Sequence, residues 1–291
     1  MPIGKLFHLI QLSSDVRALE EWYADVFPVR TFFEHNYSEQ EKRDASLILV
    51  GDSVLEPAAP AFREPGWEAS PLGRFYRRFG PHWHSIAWYT DDAGEIWERC
   101  TAAGIRVLAD ERPAPDGIVM THPKDTLTQL QFMGPHRAVR DRDPRLRRDW
   151  NVDGPVDGHP LGCPGLAYTT VLARDLERAE RIYAGILGGT VLHRDSSALT
   201  GTDDSYVQLG DTVVQLSTPN TDGTLAAADL AACNEIHHAA AFRVRDVDVA
   251  AEYLAAKRIR VTARDEYTLL TDPATTHGVP FRWTSRDVPG V

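Results

Sequence analysis

Cysteine is scarce in this chain, with three in 291 residues. Cys100, Cys163 and Cys233 are odd in number and far apart, which excludes a disulfide framework and a Cys-x-x-Cys zinc clip and leaves buried thiols as the plain reading. Positive charge is short as well. Lys and Arg number 31 against 42 Asp and Glu, a net charge of −11, so no overall field exists to collect a phosphate backbone or an anionic lipid surface. Nucleic acid and membrane are therefore not expected partners. Long apolar runs are missing too: no stretch approaches the roughly 18 to 20 residues that cross a bilayer. Residues 1–15 lack a signal peptide's apolar run and small-residue cleavage site, so a cytoplasmic protein is expected.

What remains is ordinary globular material, 43% hydrophobic and 25% charged with seven Trp, and a mean hydropathy of −0.32. The length allows one large domain or two of about 145 residues, each able to bury a core. Self-similarity decides between them. Residues 15–27 line up with 175–187, matching Asp15 to Asp175 and Tyr23 to Tyr183. Gly51-Asp52 matches Gly210-Asp211, and residues 88–107 match 242–261, in a frame that also sets His84 over His238. The two halves are copies, and we place them at 1–136 and 164–291, with 137–163 as a linker. The surrounding segment 134–164 is rich in Pro, Gly, Arg and Asp. Its six arginines from Arg137 to Arg148 alternate with Asp141, Asp143 and Asp149, the pattern of a solvated connector.

Each half repeats a shorter unit: a β-like run, an Asp, an amphipathic helix, then more strands. The openings are residues 7–12 before Asp15 and 85–90 before Asp91-Asp92. Asp is a good N-cap because its carboxylate accepts the free amides of a first helical turn. Val16, Leu19, Trp22, Tyr23, Val26 and Phe27 form one apolar stripe, and Leu176, Ala179, Ile182, Tyr183, Ile186 and Leu187 repeat it. Strands are expected at 45–50, 53–56, 118–121, 127–132, 206–209, 212–216, 268–271 and 279–283. That amounts to four βαβββ units.

Four such units resemble the vicinal oxygen chelate superfamily, which includes glyoxalase I, methylmalonyl-CoA epimerase, type I extradiol dioxygenases and the bleomycin- and fosfomycin-resistance proteins. The resemblance is carried by several short segments. They are His8 seven residues before Asp15, the turn Val50-Gly51-Asp52-Ser53, Ile86-Ala87 running into Asp91-Asp92, and His122-Pro123-Lys124-Asp125 before Gln129-Leu130-Gln131-Phe132-Met133. It implies an α+β fold in which four βαβββ modules form two curled mixed β-sheet cups with flanking helices. The first half is most similar to methylmalonyl-CoA epimerase and glyoxalase I.

The resemblance further implies one divalent metal ion in the first cup, with His8, Glu56, His84 and Gln131 as ligands, or Gln129 two residues earlier on the same face. Imidazole with oxygen donors suits Mn, Fe, Co, Ni or Zn. Two departures stand out. The last ligand is normally Glu, and a neutral amide holds a dication less tightly. Counting back from Asp92 gives Ser85, whereas counting from Asp91 gives His84, and a slip of one residue turns a side chain to the other face. His82 would share a face with His84 or lie in the preceding loop. In the second half Tyr168 stands for His8, Gln215 for Glu56 and Arg282 for the acid, leaving only His237-His238. We read that half as a degenerate metal site, structural or a lid, which argues against a type I extradiol centre there.

The first reading is a metal-dependent isomerase, epimerase or lyase acting on a small oxygenated substrate through a chelated enolate, with Glu56 as ligand or base. Glu39 and Glu41 occupy the region where the epimerase carries its base. A second reading is an Fe(II) dioxygenase built on His8, His84 and Glu56. A third is a metal-free binding protein of the resistance type, with Phe75, Trp83, Trp88 and Tyr89 lining a cleft and Arg74, Arg77 and Arg78 meeting an anion. All three take a small-molecule partner, and a monomer or a homodimer would serve.

Overall fold

The computed structural model describes residues 3–109, 111–135, 138–152 and 156–291. The first half runs β1 (Ile3–Leu12), α1 (Val16–Val26), β2 (Val29–Ser38), β3 (Arg43–Val50), β4 (Ser53–Pro60), α2 (Pro71–Phe79), β5 (His82–Thr90), α3 (Ala93–Ala102), β6 (Ile118–Met120), α4 (Pro123–Thr126) and β7 (Gln129–Met133). A short α5 (Ala138–Arg142) follows. The second half runs β8 (Leu166–Leu172), α6 (Leu176–Glu180), β9 (Thr190–Ser197), β10 (Thr202–Leu209), β11 (Thr212–Pro219), α7 (Leu225–Cys233), β12 (Ile236–Arg243), α8 (Val247–Ala256), β13 (Val261–Arg264), β14 (Thr268–Thr271) and β15 (Phe281–Thr284).

Each half is one mixed sheet, ordered β2-β3-β4-β1-β5-β7-β6 in the first and β13-β14-β15-β12-β8-β11-β10-β9 in the second. The opening strands of two consecutive modules meet antiparallel at the centre, β1 on β5 and β8 on β12. Each is flanked by the parallel closing strand of its own module. This is the α+β plan of paired βαβββ modules in two curled sheets. Among the described residues the second module is one strand short: where β13 lies in the second half, the first has a bridge between Val107 and Thr121.

The helices begin where Asp supplies a cap. Asp15 accepts from the amides of Arg17 and Ala18, Asp92 from Glu95, Asp175 from Arg178, and Asp246 from Asp248 and Val249. The stripe at 175–187 is not one regular α-helix. After Glu180 the chain widens to a π-helical turn over Arg181–Ile186, closed by the Leu187 amide on the Ile182 carbonyl. In that segment Tyr183 is buried with its hydroxyl donating to the Thr126 carbonyl of the other half.

The halves share a core. Phe27 stacks on Trp283 at 5.2 Å between centroids, Trp22 meets Phe281, and the Trp88 indole donates to the Leu209 carbonyl. The Gly-Asp turns found as a repeat are clamps between the halves. Asp211 accepts from the Leu6 amide at 2.6 Å, Ser53 accepts from the Leu166 amide at 2.7 Å, and Lys5 lies against both Asp52 and Asp211. Gly51 and Gly210 adopt φ of 57° and 63°, and a Cβ on either would collide with backbone of the opposite half, at Pro164 and Gly4. Gly51→Ala and Gly210→Ala are each expected to cost about 1–3 kcal/mol, read as a lower urea midpoint. Unchanged midpoints would show that these turns do not clamp.

The connector differs from its expected solvated form. Arg145 and Asp143 have fully buried side chains paired at 2.6 Å, with Tyr89 donating to Asp143 and Arg145 donating to the Phe7 and Asp52 carbonyls. A charge pair so satisfied can be buried where an isolated charge could not. Arg137 and the 136/137 boundary lie outside the described residues. No described helix is long and apolar enough to cross a membrane.

Candidate metal centre in the first cup

Strand register decides what faces the first cup. His8 lies opposite Ala87 and Ala87 opposite Gln131, while Ile10 lies opposite both Glu56 and Ser85, and Ser85 opposite Gln129. Cross-strand partners share a face, so His8, Glu56, Ser85, Gln129 and Gln131 all point into the cup. Between the Ile10/Ser85 and Gln11/Trp83 pairs the ladder shifts by one, leaving His84 as the extra residue of a bulge. A bulge re-aims a side chain that strict alternation would turn away. His84 and Ser85 therefore both belong to this side, and His84 lines the same cavity of about 400 Å³ as His8, Glu56, Gln129 and Gln131.

His8, Glu56 and His84 are all buried. His8 Nδ1 is 3.2 Å from Glu56 Oε2, yet among the described residues neither His8 nitrogen has a hydrogen-bond partner, and neither has His84 Nδ1. Burial, then the charges of Arg43 and Arg145, hold the His8 imidazole well below its usual range. Burial and Arg43 push His84 down to about 3. Both rings are neutral at pH 7 with lone pairs free, the state a metal ligand requires.

Sequence reasoning missed Arg43. Its guanidinium ion-pairs with Glu56 Oε1 and also with Glu41, and all three line the cavity. The available signal was register: Arg43 lies opposite Pro60 and Ala45 opposite Ala58, the face of Glu56. Gln131 donates to Ser85 Oγ at 3.1 Å and to Gln129 Oε1 at 3.4 Å. Glu41 is half-buried at the cavity wall, whereas Glu39 is exposed in the turn between β2 and β3 and outside that wall.

The donor chemistry fits a divalent cation: two neutral imidazoles with orphaned nitrogens, a buried carboxylate, and amide oxygens beside them. The set is not fully gathered. Glu56 divides its carboxylate between His8 and Arg43. Among the described residues, the His, Cys, Asp and Glu group whose ligand atoms all lie within 4.8 Å is a different one, His82, Asp229 and Cys233.

The other expected groups fall elsewhere. Trp83 packs on His237 and Phe281, Trp88 stacks on Phe132, and Tyr89 is held by Asp143, all in core rather than around a cleft. Phe75 meets His84 edge-on at 4.6 Å. Arg74 bonds the Ala69 carbonyl and Arg78 covers Phe79, so with Arg77 they stay on α2 and do not converge on the cup. In the second cup, a cavity of about 510 Å³, Arg282 and Thr170 both donate to Gln215 Oε1, and Gln215 donates to the Tyr206 hydroxyl beside Tyr168. His237 is bonded to Thr169 and His238 to Asp229.

His8, His84 and His237 are all held neutral by burial. An unfolded histidine takes a proton near pH 6.5, so below that pH the unfolded chain binds more protons than the folded one. Stability of the metal-free protein is expected to fall as pH drops below about 6.5. The slope should approach about 1.4 kcal/mol per pH unit for each ring, continuing to about pH 3 for His84. Urea midpoints that stay flat from pH 7 to 5 would contradict this.

The architecture is that of the vicinal oxygen chelate fold, with two fused paired-module units. No protein-family model matches the sequence, and no curated protein matches it either. Among solved structures, a variant of 4-hydroxymandelate synthase from Streptomyces coelicolor matches 100% of this chain and 96% of its own, with a TM-score of 0.67 at 15% identity, which establishes a shared fold. Methylmalonyl-CoA epimerase from Mycobacterium tuberculosis matches 44% of this chain and 90% of its own, at 21% identity and a TM-score of 0.40. A variant of the Streptomyces coelicolor epimerase in complex with 2-nitronate-propionyl-CoA matches 41% of this chain and 94% of its own, at 22% identity and a TM-score of 0.38.

Proposed function

We propose that the first cup binds a divalent metal through His8, His84 and Glu56, with Gln131 as a weaker fourth donor. On this reading the protein is a metal-dependent isomerase, epimerase or lyase acting on a small oxygenated substrate. The observation that carries this is the pair of buried, neutral imidazoles with unpartnered nitrogens, one of them against a buried carboxylate, in the wall of a 400 Å³ cavity. Such groups are costly to leave unsatisfied, so their retention points to a ligand. When bound, the ion supplies a Lewis acid for negative charge developing on a substrate oxygen.

The chain's own groups do the rest. Glu41 is the carboxylate of the cavity wall that does not serve as a ligand, and it stands ready to take a proton from a carbon next to a carbonyl. Arg43, ion-paired with Glu41, is placed to receive an anionic group of the substrate. The apolar remainder of the wall, including Phe33, Leu47 and Met133, excludes water from the reacting carbon. Deuterium exchange from solvent into a panel of small keto acids and hydroxyketones, followed by NMR with Mn²⁺, Co²⁺, Ni²⁺ or Zn²⁺ added, tests this. Exchange that stops on chelation and falls about 10²- to 10⁴-fold in Glu41→Gln, with metal uptake unchanged, is the expected result. Exchange indifferent to chelator would overturn it.

Because Arg43 faces the same carboxylate as the ion, Arg43→Met should raise metal affinity by at least about tenfold, through loss of charge repulsion, while weakening anionic substrates. Isothermal titration with Mn²⁺ reads the first effect, and an unchanged or lower affinity would contradict it. A second reading drops the Gln131 oxygen as a weak neutral donor, its amide nitrogen being tied to Ser85 and Gln129. That leaves two histidines and one carboxylate, the set of Fe(II) oxygenases. Oxygen uptake with Fe(II) and catechols would select it.

A further inference from the structure

A second cluster of ligating side chains lies where the two halves meet. His82, at the start of β5, reaches across to Asp229 on α7, its Nε2 3.2 Å from Oδ1. Cys233 is one helical turn beyond Asp229, so the two side chains share a face of the helix. The ligand atoms of all three lie within 4.8 Å of one another. The other carboxylate oxygen of Asp229 is held at 2.6 Å by His238 Nδ1.

The hydrogen bonding of His82 is what points to an ion. Its Nδ1 lies 3.1 Å from the Trp83 carbonyl, which can only accept, so Nδ1 carries the proton. Nε2 is then the nitrogen aimed at the Asp229 carboxylate, 3.2 Å from Oδ1. A ring anchored through Nδ1–H on a backbone carbonyl with its free Nε2 aimed at a carboxylate and a thiol is also the arrangement that orients a metal-bound histidine. His82 is buried, while Asp229 and Cys233 are partly exposed, so an ion has a way in. Phe75, Phe79 and Leu230 pack around the thiol side.

We propose that His82, Asp229 and Cys233 form a zinc site between the halves, separate from the first cup, with water completing it. One imidazole, one carboxylate and one thiolate suit a borderline-soft ion of tetrahedral preference. Its place in the fold gives it a structural role: α7 of the second half is tied to β5 of the first. Binding would release the Cys233 proton to solvent, because the ligand is the thiolate.

Cobalt(II) is the probe, added to the full chain and to three variants. The wild type and His8→Ala are expected to show thiolate-to-cobalt absorption that zinc displaces. Cys233→Ser is expected to lose it, and His82→Gln to weaken binding more than about 100-fold. With the first cup disabled by His8→Ala, zinc should raise the melting temperature of that variant but not of His8→Ala combined with Cys233→Ser, whose half-exposed position tolerates the exchange. The proposal falls if the wild type shows no such absorption, which would leave His82 as an imidazolium paired with Asp229. It falls equally if the absorption survives in Cys233→Ser or disappears in His8→Ala.

Discussion

Arg145→Met is expected to destabilise the protein by about 3–5 kcal/mol, the usual consequence of removing one partner from a buried ion pair. Both Arg145 and Asp143 have fully buried side chains. The guanidinium makes its remaining bonds to the Phe7 and Asp52 carbonyls, at 3.1 Å each. Without it, the Asp143 charge would sit in the interior with Tyr89 and a backbone amide as partners. Replacing both residues, as Asp143→Leu with Arg145→Met, should recover much of the loss because no unpaired charge remains. Denaturant midpoints of the two single variants and the double variant measure this. A single-variant loss below about 1 kcal/mol would mean that the pair is wetter than it stands here. The connection matters to the site, because Phe7 precedes His8 and the Arg145 charge is one of the groups holding His8 neutral.

His8→Ala should lower the affinity of the first cup for metal by more than about 100-fold, since changes one shell further out already cost 10- to 100-fold. Its effect on the stability of the metal-free chain should be small. The lost packing is opposed by relief of two buried nitrogens without partners, each costing about 1–3 kcal/mol. A histidine retained for packing would give the opposite result, with marked destabilisation and unchanged metal uptake. Titration with Mn²⁺ beside urea unfolding of the same variant separates the two, and Cys233→Ser as background removes the interface site from the count.

Much of the fold was legible because it repeats. Matching Asp15 to Asp175 and Gly51-Asp52 to Gly210-Asp211 already implied two copies, and the alternation of strands with Asp-capped helices implied the modules. The site was legible only in part. His8 and Glu56 were reached through the family resemblance, and the strand register turns both toward one cup. For His84 the resemblance left Ser85 as an alternative, because the bulge that brings it and Ser85 to one side is a property of two strands together. Arg43 escaped notice for a related reason: its importance comes from meeting Glu56 across the sheet, with nothing in its neighbours to mark it. The burial of Arg145 and Asp143 was illegible because a run of alternating charges reads as solvated until a core is found beneath it. The clamp role of the Gly-Asp turns and the cluster of His82, Asp229 and Cys233 likewise exist only once the halves are docked.

The most direct test of the metal centre is anomalous scattering at the manganese edge from crystals of the Cys233→Ser protein grown with Mn²⁺. The expected result is one strong peak within bonding distance of His8, His84 and Glu56, with the Arg43 guanidinium displaced from Glu56. An empty first cup at saturating Mn²⁺, with Arg43 still paired to Glu56, would contradict the metal-dependent function proposed for it.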